Sequence, residues 1–155
     1  MPDDVIELIR AEHQRIRGLL ASLDQQSQDD GSNLGHTWSQ AAALLLVHID
    51  AAEEVGFPPA LVRARDIAGH RAAIIADHAD IRDAVAEARF HAVGSRGWWL
   101  AVGAVRAAAR RHMDLSESTL LRQLGDELSD HERAFLGRQW RAFVLACTLD
   151  ADQGE

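Results

Sequence analysis

The chain has one cysteine, no lysine, and no apolar run longer than stretches such as Ala41 to Val47. A lone Cys147 excludes an intramolecular disulfide and fits a reducing compartment. It follows the apolar run Phe143-Val144-Leu145-Ala146, so it reads as a small buried hydrophobe rather than a catalytic thiol. The apolar runs fall far short of the roughly 20 residues that span a bilayer. The sixteen basic residues are all arginine, cluster no further than Arg110-Arg111, and are outnumbered by 24 acids, for a net charge of -8. Nucleic acid and anionic membrane both reward a basic face, so neither is an expected partner. The N-terminus, Met1-Pro2-Asp3-Asp4, is acidic where a signal peptide would be basic, and the expected location is the cytoplasm. There is no His-Glu-x-x-His sequence, no cysteine-rich zinc framework, no glycine-rich phosphate loop, and no histidine with Glu three residues before it.

What is present is helical periodicity over 155 residues, 47% of them hydrophobic, which is enough for one domain, 1–155, with a substantial core. Helix 1 is expected from an N-cap near Asp3 to about Leu23, with Ile6, Ile9, Ile16, Leu20 and Leu23 on one stripe. Residues 25–35, rich in Ser, Asp and Gly, read as a loop. Helix 2 runs from near Thr37 to Val55, where Gly56-Phe57-Pro58-Pro59 interrupts it. Helix 3 covers about Asp66 to Phe90, its stripe being Ile67, Ile74, Ile81 and Val85, with Arg71 as a break. After Gly94-Ser95-Arg96-Gly97, helix 4 runs from about Trp98 to Leu121, and the Trp98-Trp99 pair packs its start. Gly125 separates it from a fifth helix, about 129–147, whose apolar face is Phe135, Leu136, Phe143 and Val144. The expected fold is all-α: an antiparallel up-down four-helix bundle, about 3–123, with an additional C-terminal helix.

His13, His48, His78 and His112 fall on the apolar stripes of four different helices, each ten to fourteen residues or so from its helix start. At about 1.5 Å per residue, antiparallel packing puts all four rings in one layer near mid-height. A neutral imidazole carries one donor and one acceptor, so burial without partners is costly, and a shared metal would satisfy all four. Helices 2 and 4 also repeat one pattern, His-x-Asp-x-x-Glu, in His48-Ile49-Asp50-Ala51-Ala52-Glu53 and His112-Met113-Asp114-Leu115-Ser116-Glu117. Imidazole plus carboxylate without thiolate suits iron, manganese or zinc. Asp50 and Asp114 read as solvated groups or as groups orienting an imidazole, and Glu12 and Glu54 as surface charges.

Four segments carry a resemblance to the hemerythrin-like family, the HHE cation-binding domain. They are Ala11 to Arg17, His48 to Pro58, Asp77 to Arg82, and His112 to Leu121, spanning about Asp3 to Leu121. The resemblance implies a four-helix bundle around two non-heme iron ions, oxygen-bridged, with His13, His48, His78 and His112 as terminal ligands and Glu53 and Glu117 as candidate bridging ligands. It also implies binding or sensing of dioxygen, peroxide or nitric oxide, or decomposition of peroxide at the same centre. The alternative is a metal-free helical interaction module that keeps the bundle. The chain departs from the family pattern in two places. The helix-2 carboxylate usually lies four residues after its histidine, and Ala52 stands there. Glu53, five after, lies about 140° around an ideal helix, so it needs a π-bulge, a long reach or a water. Many members carry a second histidine on helix 3, where this chain has Ile74 and Arg82 four residues either side of His78.

Overall fold

The computed structural model describes residues 3–28, 33–56 and 67–153, and among these the chain is helical, with no strand. The helices are α1 (Val5–Gln28), α2 (Leu34–Ala51), α3 (Ile67–Ala88), α4 (Arg96–Leu115), α5 (Leu121–Glu127) and α6 (Asp130–Gln153). Two π-helical turns, Ala52–Gly56 and Ser116–Leu120, prolong α2 and join α4 to α5. No described helix is long and apolar enough to cross a membrane.

Local chemistry sets the starts. Asp4, rather than Asp3, accepts from the Ile6 amide at 2.8 Å and caps α1. The Ser95 side chain accepts from the Trp98 amide, so α4 begins two residues earlier than its apolar stripe suggests. Ser129 and Glu132 form a reciprocal capping box at the head of α6. Gly94, at φ +82°, makes the left-handed turn before α4.

Several boundaries differ from expectation. α1 continues four residues into the expected loop, to Gln28, because its last turns have no breaker. Gly125 does not end a helix: α5 runs through it to Glu127, and the break comes at Leu128, whose backbone is extended. The Phe57-Pro58-Pro59 interruption, the helix-3 start at Asp66, the side chain of Ile67 and the centre of the 25–35 loop, 29–32, lie outside the described residues.

α1 packs on α2 and α3 on α4, while α6 lies against α1 and α2. The buried apolar side chains form two clusters. One holds Ile16, Leu20, Leu23, Leu45, Ile81, Val85 and Trp98, the last edge-on to Trp38 with ring centroids 5.8 Å apart. The other holds Val5, Ile6, Ile9, Ile74, Leu120, Leu124, Leu136 and Trp140. On α1 and α3 the chain passes from the second cluster through a histidine to the first. On α2 and α4 the order reverses, apart from Ile49 and Met113 beside the histidines. Antiparallel helices therefore sandwich one polar layer between two apolar ones.

The face of α6 also differs from expectation: Phe135 is exposed, and the inward stripe is Leu136 and Trp140, flanked by half-buried Phe143 and Val144. Cys147 is half-buried rather than buried, and desolvation, aided by Asp50 and Asp150, raises its thiol pKa. α6 crosses the N-terminus so closely that a Cβ on Gly137 would lie 1.5 Å from the Asp3 carbonyl oxygen. Arg133 to Asp4 and Arg141 to Asp3, both at 2.8 Å, pin the crossing.

Candidate metal centre

The polar layer is the four histidines, each buried, with relative exposures of 0–1%. His13 and His48 bring their Nε2 atoms to 3.1 Å, and the Nε2 atoms of His48 and His112 lie 3.2 Å apart. The chain of rings continues from His112 Nδ1 to His78 Nε2 at 3.1 Å. One ligand nitrogen from each of His13, His48 and His112 falls within 4.8 Å of the others.

Carboxylates hold the outer nitrogens. His13 Nδ1 donates to Glu117 Oε1 (2.8 Å), His78 Nδ1 to Glu53 Oε1 (2.7 Å) and His48 Nδ1 to Glu12 Oε2 (2.7 Å). Each bond fixes a tautomer, since an ionised carboxylate only accepts. Glu117 and Glu53 are each gripped by an arginine, Arg17 at 2.9 Å and Arg82 at 3.0 Å. The same arginines reach Asp114 (3.5 Å) and Asp50 (2.6 Å). The two aspartates thus serve the arginines rather than an imidazole.

The layer has an internal two-fold pattern. His-x-x-x-Arg on α1 and α3 meets His-x-Asp-x-x-Glu on α4 and α2, giving His13, Arg17, Asp114 and Glu117 on one side and His78, Arg82, Asp50 and Glu53 on the other. Both glutamates sit in the π-helical turns. An i→i+5 bond widens the turn and re-aims a side chain that an α-helix would carry past the histidine.

Electrostatics follow from burial. Desolvation, then the charge of His48, pushes His13 down to about 4 against the pull of Glu117. Desolvation also lowers His78, and lowers His112 well below the ordinary imidazole value, where the neighbouring rings add to it. For Glu53 and Glu117 burial works upward, but hydrogen bonds from the arginine and histidine outweigh it and hold both carboxyls below their usual value.

The fit to a cation follows by counting protons. With Nδ1–H of His13 and His48 committed to carboxylates, their Nε2 atoms are lone pairs facing each other at 3.1 Å. Neutral His112 has one proton for two contacts, Nδ1 toward His78 and Nε2 toward His48. Neutral rings cannot satisfy this set, and burial opposes protonation of His13, His78 and His112. A metal ion accepts all the lone pairs, and its ligand imidazoles characteristically donate the other N–H to carboxylates, as these do.

The structure brings the four expected histidines into one layer and places Glu53 and Glu117, expected as bridging ligands, on the outer Nδ1 atoms of His78 and His13. Four further residues at the site were not expected there: Glu12, Arg17, Arg82 and Trp140. Glu12, expected as a surface charge, turns inward to His48, and Trp140 Nε1 donates to its other oxygen at 2.9 Å. The arginines carry a sequence signal in the His-x-x-x-Arg repeat, His13 with Arg17 and His78 with Arg82, although Arg82 occupies a position where many family members have a histidine. Nothing local in the sequence marks Trp140. A protein-family model, the hemerythrin HHE cation binding domain, matches residues 4–133, well over half of the chain. Comparison with curated proteins and with solved structures gives no match. With the antiparallel helices, the four inward imidazoles and that match, the chain belongs to the hemerythrin HHE cation-binding family.

Proposed function

We propose that this protein holds non-heme iron, two ions at full loading, among His13, His48, His78 and His112, and there binds or senses dioxygen, peroxide or nitric oxide. The observation that carries the reading is the 3.1 Å approach of the His13 and His48 Nε2 atoms in a buried layer, with the Nδ1 of each ring held by a carboxylate. The donor set supports iron over softer metals, since it is imidazole and carboxylate with no thiolate among the residues around the site. Iron, when bound, supplies an open coordination position for a small ligand.

The residues of the chain do the rest. Glu12, Glu53 and Glu117 hold Nδ1–H of His48, His78 and His13, which keeps each Nε2 unprotonated and raises its basicity toward a cation. Their negative charges balance part of the cation's. Arg17 and Arg82 fix two of those carboxylates in place. Apolar clusters flank the layer on either side.

Metal analysis of protein purified without chelator, with a near-ultraviolet spectrum, tests the reading. Roughly two iron ions per chain with iron-dependent absorption is the expected result. A stable helical protein that takes up no iron on reconstitution overturns it and leaves the metal-free interaction module. Iron that binds and also decomposes peroxide assigns an enzyme, while iron that leaves peroxide intact assigns reversible binding or sensing.

A further inference from the structure

Most of α6 lies beyond residue 133, where the family match ends, yet one of its side chains enters the site. Trp140 is 1% exposed, and its ring sits 5.5 Å from that of His48 at 61°. Its indole N–H donates to Glu12 Oε1 (2.9 Å), and Glu12 Oε2 accepts from His48 Nδ1 (2.7 Å). We propose that Trp140 is a positioning residue for His48, acting through Glu12, so that docking of the C-terminal helix sets the affinity of the imidazole cluster for its cation. The inference rests on the reading that the cluster holds a cation.

Three observations carry it. The other two ring-bound carboxylates are gripped by guanidinium groups, whereas the structure places an uncharged donor on Glu12. Glu12 in turn holds His48, the ring whose Nε2 touches both His13 and His112. An indole N–H has one donor and no acceptor, so it can hold the carboxylate in only one sense. Finally, α6 is fixed independently of the site, by Gly137 against the Asp3 backbone and by Arg133 on Asp4. The indole is therefore placed by the helix rather than by the histidine. By linkage, whatever α6 docking contributes to cation affinity, cation binding returns to α6 docking.

The test uses the full-length chain and zinc(II), titrated against a chelating dye, for the native chain, Trp140→Phe, Glu12→Ala and the double variant. Trp140→Phe keeps an aromatic ring, though a smaller one, and removes the donor, and it should weaken zinc binding about tenfold, the low end for partners of ligating histidines. In the Glu12→Ala background the same change should alter affinity by less than about twofold, because the route to His48 is already cut. Equal losses in both backgrounds make the indole a packing group and overturn the proposal, as does Trp140→Phe binding zinc like the native chain. A native chain that binds neither zinc nor iron overturns the cation reading instead. A second measurement needs no variant that binds: the Trp140 indole N–H resonance, identified by its absence in Trp140→Phe, should shift on zinc addition. Those of Trp38, Trp98 and Trp99, in or against the other cluster, should stay still. An unmoved Trp140 resonance in zinc-loaded protein refutes the coupling.

Discussion

Cation-free protein should lose stability on mild acidification, and the size of the loss can be worked from one ring. His13 has an imidazole pKa near 6.5 in an unfolded chain and about 4 in the fold, where desolvation and the neighbouring His48 oppose its charge. Between these values the unfolded state binds the proton and the folded state does not, so stability falls as pH falls. Integrated from pH 7 to pH 5, this single group removes about 2 kcal/mol. His78 and His112 are shifted in the same direction and add to it. Glu53 and Glu117 act elsewhere: with folded pKa values below 4.5, their contribution is intact above that pH and is lost only as pH falls further. The window from pH 7 to 5 therefore isolates the imidazole layer. Urea denaturation of chelator-treated protein at several pH values gives the slope directly, and the melting temperature should drop by about 4–8 °C or more for a chain of this size. A stability that is flat or rises between pH 7 and 5 refutes the argument, because the rings would then be protonated or solvated in the fold. Cation-loaded protein should resist acid until protons displace the ion from the imidazoles.

Three further perturbations probe separate parts of the molecule. His112→Ala removes the ring that joins His48 to His78 and should abolish iron or zinc retention while far-ultraviolet dichroism stays essentially native; full occupancy by metal analysis would contradict the site. Glu53→Gln and Glu117→Gln should each weaken cation binding about 10- to 100-fold if the carboxylates act from the outer nitrogens of His78 and His13. Complete loss of the ion in either variant would instead make that carboxylate a direct ligand. Gly137→Ala drives a methyl group into the Asp3 carbonyl, and it should cost about 1–3 kcal/mol or more in thermal unfolding by forcing α6 off the N-terminus. An unchanged melting temperature would show that the crossing yields freely.

The helices were readable because their determinants are local. Apolar spacing of three and four residues fixes which face turns inward, and His13, His48, His78 and His112 sit in that series. Errors at the ends have local causes too, such as Ser95 capping α4 ahead of its apolar stripe and Gly125 tolerated within a helix. Depth along antiparallel rods also follows from counting residues, which is why the four rings could be expected in one layer. A π-bulge is one of three ways to meet the five-residue offset of Glu53, a long reach and a water being the others, and the structure has a π-turn there and another around Glu117.

Partners across helices could not be read the same way. Whether Glu12 faces water or His48 depends on how α1 is rotated against α2 and on an indole delivered from α6, more than a hundred residues away. That Arg17 and Arg82 clamp glutamates from α4 and α2 depends on which helices become neighbours. The chain by itself determined an amphipathic set of helices carrying inward histidines, because periodicity and burial are encoded within a few residues of each position. Tertiary structure alone decided which nitrogen faces which, and which carboxylate holds it. Hydrogen bonds act over about 3 Å, and only the packed arrangement of all the helices fixes distances on that scale.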